Sequence, residues 1–269
     1  MLLICGLPAS GKSTLLEAVH ATLGECATTA DLGTFLGRGS SDGGHATPHL
    51  ARLDGRRLVT SYEIEPGARL NESLVSQITG GDPITARGLY RESFEYIPQF
   101  TPVLVSNHYP QISGDDSGVW RRLRVIHFDQ AIPADQRDHE LKARLRETQQ
   151  SQAILVWMVE GCLAWQRQGL AEPPGVRLAT YAYMHAMDFV QQFIDECLVW
   201  SDGGKVSIKE MNTAYAEWCQ LRQVPQRGTI QLTKDLERRG YVRRKSGSSR
   251  YWSNVTLRPT ETHPVHTRG

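Results

Sequence analysis

The chain has 269 residues, 40% hydrophobic and 22% charged, which leaves room for one medium domain and a small one and excludes fibrous and low-complexity classes. No run of eighteen apolar residues occurs, and the opening Met1 to Cys5 is too short for a signal peptide or a membrane span, so a cytoplasmic protein with no membrane contact is expected. Net charge is only +1, yet residues 205–258 hold 12 Lys or Arg against 4 Asp or Glu, so the basic end is built for polyanions and the remainder is acidic.

The first element in chain order is a short apolar run, Leu2 to Cys5, that enters a glycine-rich turn and then a helical pattern from Lys12. The turn, Gly6-Leu-Pro-Ala-Ser-Gly-Lys-Ser13, fits G-x-x-x-x-G-K-[ST] in the context that gives the pattern meaning, between a strand and a helix. Glycines let backbone amides approach phosphate oxygens, and the helix start adds positive potential. Gly6, Pro8, Ala9, Ser10, Gly11, Lys12, Ser13 and Thr14 are therefore expected to bind a nucleotide, ATP, with Lys12 at the terminal phosphates and the Ser13 hydroxyl on Mg²⁺. His45 and His49 lie four apart in a glycine-rich stretch without a third ligand and read as surface histidines. Cys5, Cys26, Cys162, Cys197 and Cys219 lack metal-ligand spacing; reduced, mostly buried thiols and no zinc are expected.

Further apolar runs at residues 58–60, 102–106 and 123–128 are separated by segments long enough for crossover helices, which predicts an α/β fold with a parallel central sheet. A helix is expected over 152–168, where Ile154, Leu155, Met158, Cys162 and Trp165 recur at helical spacing and Gly169 supplies a stop. This gives a first domain of residues 1–168 and a helical connector over 169–204, in which an amphipathic stretch through Phe189, Phe193, Leu198 and Trp200 ends at Asp202-Gly-Gly204. Ser207-Ile-Lys-Glu210 is a capping-box pattern opening a helix through Met211, Tyr215 and Trp218. A second helix over 229–239, stopped by Gly240, and a basic hairpin over 241–252 complete the order of a winged helix domain, residues 205–258. The tail over 259–269 reads as disordered.

From Arg57 onward four motifs follow in series: Arg57-Leu-Val-Thr-Ser-Tyr-Glu63; Leu74 through Gly80-Gly-Asp82 to Arg87; Leu104-Val-Ser-Asn107; and Gly118-Val-Trp-Arg121-Arg122. In order and spacing the chain resembles the superfamily 3 helicases, of AAA+ type, found in phage and plasmid primase-helicase proteins and related to poxvirus primase-helicases. The resemblance implies a P-loop ATPase that moves on single-stranded DNA during replication, a homo-oligomeric ring, a hexamer, and a primase partner.

It also implies residue roles. Glu63 would polarise the attacking water and help hold Mg²⁺, with Glu65 a weaker candidate and a solvated strand-end charge the alternative. Asn107 would act as the sensor of the terminal phosphate. Arg121 resembles the arginine finger that a neighbouring subunit inserts, with Arg122 and Arg124 as alternatives and surface ion pairing the bland reading. The Gly80-Gly81-Asp82 turn and residues 84–91 resemble a DNA-gripping hairpin in which Arg87 and Arg91 contact phosphates and Tyr90 stacks on a base. Ser76-Gln77 stands where a basic residue is common in the family. Members also carry a helical collar before the loop, so a fragment or a truncated reading frame is one expectation.

In the winged domain, Lys234, Arg238 and Arg239 on the second helix and Arg243, Arg244, Lys245 and Arg250 on the wing are expected to contact double-stranded DNA, mostly through phosphates. Two other functions stay open. One is a small-molecule or nucleotide kinase built on the same loop, and the other is a DNA-binding protein whose oligomeric state nucleotide merely switches.

Overall fold

The computed structural model describes residues 1–37, 46–112, 117–247 and 249–258. The predicted tail and His45 lie outside them. The chain divides into two units, residues 1–187 and residues from 188 onward.

In the first unit, β1 (Leu2–Gly6) leads into α1 (Lys12–Leu23), followed by β2 (Ala27–Thr29), the short α2 (Pro48–Ala51), β3 (Leu58–Tyr62) and α3 (Glu72–Gly80). A hairpin of β4 (Ile84–Arg87) and β5 (Ser93–Tyr96) precedes β6 (Thr101–Ser106), α4 (Ser117–Arg122) and β7 (Arg124–Phe128). The unit closes with α5 (Leu141–Arg144), α6 (Thr148–Gln168) and α7 (Pro174–Met187). The main sheet has order β2-β3-β6-β1-β7, and all its pairings are parallel, as the apolar runs predict.

Continuous apolar strands are required because both sheet faces are covered. Alternate side chains of β1 go to opposite faces. Leu3 and Cys5 join Val59, Leu104 and Val125 in a core completed by Val75, Ile78, Val119 and Trp120. Ile4 turns the other way, onto Val103, Val105 and Leu16 of α1.

The first unit extends past residue 168. Helix α7, expected in a connector, packs on β7: the Thr180 hydroxyl accepts from the Val125 amide at 3.0 Å. Tyr183 is buried, donates to the Pro110 carbonyl, and stacks on Tyr109 with ring centres 4.4 Å apart. Tertiary packing therefore carries the first unit past Gly169, the expected stop. Helix α6 is also different from its expected form. It starts at Thr148 and buries none of its residues, with Leu155, Trp157, Leu163 and Trp165 all about half exposed.

In the second unit, α8 (Phe189–Cys197) is followed directly by a long strand β8 (Leu198–Ser207), then α9 (Ile208–Arg222), α10 (Thr229–Arg238), β9 (Val242–Ser246) and β10 (Ser249–Leu257). The strands form an antiparallel sheet in the order β8-β10-β9. Asp202-Gly-Gly204, read as the end of a helix, lies within β8. There the register jumps from Lys205 opposite Ser253 to Trp200 opposite Val255, a bulge that leaves Gly203 at φ +74°. The connector over 169–204 is thus divided between the units, and the second unit starts 17 residues before Lys205.

Val190, Phe193, Met211, Tyr215, Trp218, Leu232, Leu236 and Trp252 form the second unit's core. The capping box is present in full: Ser207 Oγ accepts from the Glu210 amide at 3.1 Å, and Glu210 accepts from the Ser207 amide at 2.8 Å.

Candidate active site

The loop between β1 and α1 sits at the carboxyl edge of the parallel sheet, where such sheets take ligands. Its shape depends on two glycines. Gly6 has φ +141°, and a β-carbon there would stand 2.2 Å from the Phe128 carbonyl oxygen. Gly11, the residue before α1, has φ +91°. The loop is pinned at both ends, with the Leu7 amide donating to Phe128 at 3.0 Å and the Ile132 amide to Ala9 at 2.9 Å.

The Lys12 amine curls back over its own loop. It donates to the Gly6 carbonyl at 2.9 Å, the Leu7 carbonyl at 2.6 Å and Ser10 Oγ at 3.2 Å. All three of its donors are used, and burial lowers its pKa from the ordinary lysine value. An anion seated on the loop can replace these neutral acceptors with a charge-assisted bond.

A cleft of about 740 Å³ opens beside the loop. Its lining gathers Pro8, Ala9, Lys12 and Ser13, then Glu63 just past β3 and Asn107 just past β6. Register explains the meeting. Tyr62 pairs with Val105, and Val105 with Ile4, so the residues that follow these strands emerge side by side. Glu63 is exposed at φ +65°, and its amide donates to the Val105 carbonyl at 3.0 Å. Glu65 does not line the cleft, which favours Glu63 of the two.

Sequence reasoning missed the lining residues Glu17, His20 and Arg146, along with Ala21 and Thr29. Glu17 and His20 follow Ser13 at helical spacing on α1, so the period alone could have found them. His20 Nε2 lies 2.8 Å from Thr60 Oγ1 of β3, and burial lowers its pKa, which leaves the ring neutral near pH 7. Arg146 arrives from far along the chain and carries no local signal.

The clustered arginines separate. Arg122 is turned inward, donating to the Ser76 carbonyl at 3.1 Å and Thr79 Oγ1 at 3.3 Å, which fastens α4 to α3. Arg124 donates to the Arg121 and Leu123 carbonyls and pairs with Glu172. Both hold the fold, so neither suits a finger. Arg121 is exposed. None of the three lines the cleft of its own chain.

Gly80-Gly81-Asp82, expected at the turn of a hairpin, is instead the stop of α3, with Gly81 in the left-handed region. The β4–β5 hairpin turns at residues 88–92, where Tyr90 is fully exposed at φ +57° and Leu89 is largely exposed. Arg87 Nε donates to the Arg91 carbonyl at 3.1 Å across the tip.

In the second unit a cleft of about 810 Å³ lies between the start of α9, α10 and the β9–β10 hairpin. Lys209, Lys234, Arg243, Lys245 and Arg250 line it. Lys209 was not foreseen. Arg239, expected to contact DNA, forms two bonds of 2.7 and 2.8 Å to Asp188. Arg238 leans on buried Asp235, which Arg227 also pairs at 2.8 Å. Arg227 and Arg238 serve the fold because the buried Asp235 carboxylate demands a partner.

Fold and site together define an α/β protein built on a five-stranded parallel sheet, with a glycine-bounded loop and a polar cleft at the carboxyl ends of its strands. No family model matches the chain. Among curated proteins it is 30% identical over 261 residues to "Putative helicase L207/L206" of Acanthamoeba polyphaga mimivirus, covering 90% of the chain and 26% of that protein. It is 27% identical to "Putative helicase 022R" of Frog virus 3, over 84% of the chain and 24% of that protein. Identity to "Putative primase C962R" of African swine fever virus is 26%, over 88% and 26%. These relatives support the resemblance of the chain to superfamily 3 helicase–primases.

It spans about a quarter of the length of these relatives. All three are proteins of large DNA viruses, so the expected phage or plasmid source finds no support in them. Among solved structures, the apo C-terminal region of NrS-1 aligns over 94% of the chain and 65% of its own length. Identity is 11% and the TM-score is 0.45, a likeness that carries no argument.

Proposed function

We propose that this chain is the ATP-hydrolysing motor of a replication helicase–primase, acting on DNA as a ring of identical subunits. The observation that carries the reading is the convergence of Lys12, Ser13, Glu63 and Asn107, from three distant segments, on one cleft at the sheet's carboxyl edge. These residues fit a nucleotide with its metal ion. The loop amides and Lys12 would hold the phosphates, while the exposed Ser13 hydroxyl and the Glu63 carboxylate are the hard oxygen donors that Mg²⁺ takes. Bound there, the ion would neutralise charge on the phosphates.

Glu63 would orient and polarise the attacking water, and Asn107 would fix its position by hydrogen bonding. Arg121, exposed and outside its own cleft, suits donation to a neighbour's. The Arg87–Tyr90–Arg91 tip would contact single-stranded DNA by phosphate pairing and base stacking. In the second unit, the order α9, α10, β9–β10 supports a winged helix, and its basic cleft supports contact with duplex phosphates.

The deciding experiment measures ATP turnover with and without single-stranded DNA, in the parent and in Glu63→Gln. Parent turnover should rise with DNA, and the variant should still bind ATP while turning over about 100-fold more slowly. Phosphate transfer to a small acceptor without DNA stimulation would establish the kinase instead. Unimpaired DNA-linked function in Glu63→Gln would establish the nucleotide-switched binder.

A further inference from the structure

One carboxylate at the mouth of the Lys12 cleft holds two cations. Glu17 Oε1 takes the Lys142 amine at 2.6 Å, and Glu17 Oε2 takes Arg146 Nη2 at 3.0 Å. Both cations come from the segment around α5, which follows the sheet. Glu17 lies one helical turn beyond Ser13 on the same face of α1, about 6 Å along the axis. The pair therefore parks a guanidinium in the lining of the cleft, within a side chain's reach of the Ser13 end.

Three features make Arg146 available for another partner. Its side chain is 58% exposed, and an exposed single-bond ion pair is weak. Its departure leaves Glu17 still neutralised by Lys142, so no charge is stranded. A phosphate offers a guanidinium two parallel bonds, where Glu17 offers this one a single oxygen. By contrast, Arg122 and Arg124 are committed to backbone carbonyls and to Glu172.

We propose that Arg146 is a triphosphate-reading arginine acting within its own protomer, latched on Glu17 when the cleft is empty and transferred to the terminal phosphate of ATP when it is filled. A single protomer would thereby distinguish ATP from ADP before any neighbour supplies a cation. Since Arg146 stands two residues before α6, the transfer would pull on the start of that helix. This inference rests on the nucleotide reading above.

The test is equilibrium binding of a fluorescent, slowly hydrolysed ATP analogue and a fluorescent ADP, with Mg²⁺, to the whole chain. Arg146→Ala should weaken the triphosphate about tenfold and move the diphosphate less than about twofold, with Arg146→Lys recovering part of the loss. Glu17→Gln removes the competing anion and should tighten triphosphate binding several-fold.

A role for Arg146 as a mere clamp on α5 and α6 gives the opposite sign, because Glu17→Gln would then reproduce the loss seen in Arg146→Ala. That result, or equal effects of Arg146→Ala on both nucleotides, overturns the proposal. Thermal melting of each variant checks that the fold is kept. A parent that binds neither nucleotide removes the nucleotide reading and this inference with it; a parent that binds both puts the Arg146 assignment alone at stake.

Discussion

At Gly6 the sheet and the loop meet with no room for a side chain. A methyl group there would collide with the Phe128 main chain, at 2.2 Å from its oxygen and 2.7 Å from its carbon, and backbone held by strand pairing cannot step aside. Gly6→Ala is therefore expected to cost about 3 kcal/mol, read as a lowered melting temperature of the first unit together with lost ATP binding. Gly11 faces open space, so only its φ of +91° restricts substitution. The pattern around Lys12 made both glycines legible, since it states what backbone geometry is needed. The sequence did not reveal that Lys12 would spend its donors on Gly6, Leu7 and Ser10. Nor did it reveal that Arg146 would cross to Glu17, because residues 129 apart meet only through folding.

At the scale of elements, short-range signals held where the physics is short-range. The Ser207–Glu210 box opens α9 because both bonds form within one turn, and the apolar runs became strands because they are buried on two sides. They failed where a neighbour decides. Gly80-Gly81 resembles a hairpin turn but stops α3, and Asp202-Gly-Gly204 resembles a helix end but forms a bulge opposite Asn254. The cations of the second unit divide in the same way. Replacing Arg227 by Ala takes the 2.8 Å partner from the fully buried Asp235, leaving Arg238 at 3.6 Å, and should cost the second unit about 3 kcal/mol in chemical denaturation. Arg250→Ala, in the open cleft, should leave stability unchanged and weaken duplex DNA binding, with a shallower dependence of affinity on salt. Equal destabilisation by both substitutions would undo this distinction.

For the molecule as a whole, the boundary at residues 187 and 188 separates two cores, each made from its own unit's residues. A fragment covering residues 188–258 is accordingly expected to fold by itself, with one cooperative thermal transition. It should keep its affinity for duplex DNA, measured by fluorescence anisotropy, while binding no ATP. A fragment starting at residue 205, where composition turns basic, lacks Val190, Phe193, Ile194 and Leu198 and should not fold. Among the described residues, no helix is long and apolar enough to cross a membrane.

The sequence by itself determined the parallel α/β plan, the glycine-bounded loop, the basic end and the motif series that resembles the superfamily 3 helicase–primases. Each of these is written in local spacing, composition or order along the chain. Only the tertiary structure decided that α7 belongs to the first unit, that Arg122, Arg124 and Arg239 serve the fold, and that Glu17, His20 and Arg146 face the cleft. A charged side chain's role depends on which partner reaches it first in three dimensions, and that competition leaves no periodic trace in one.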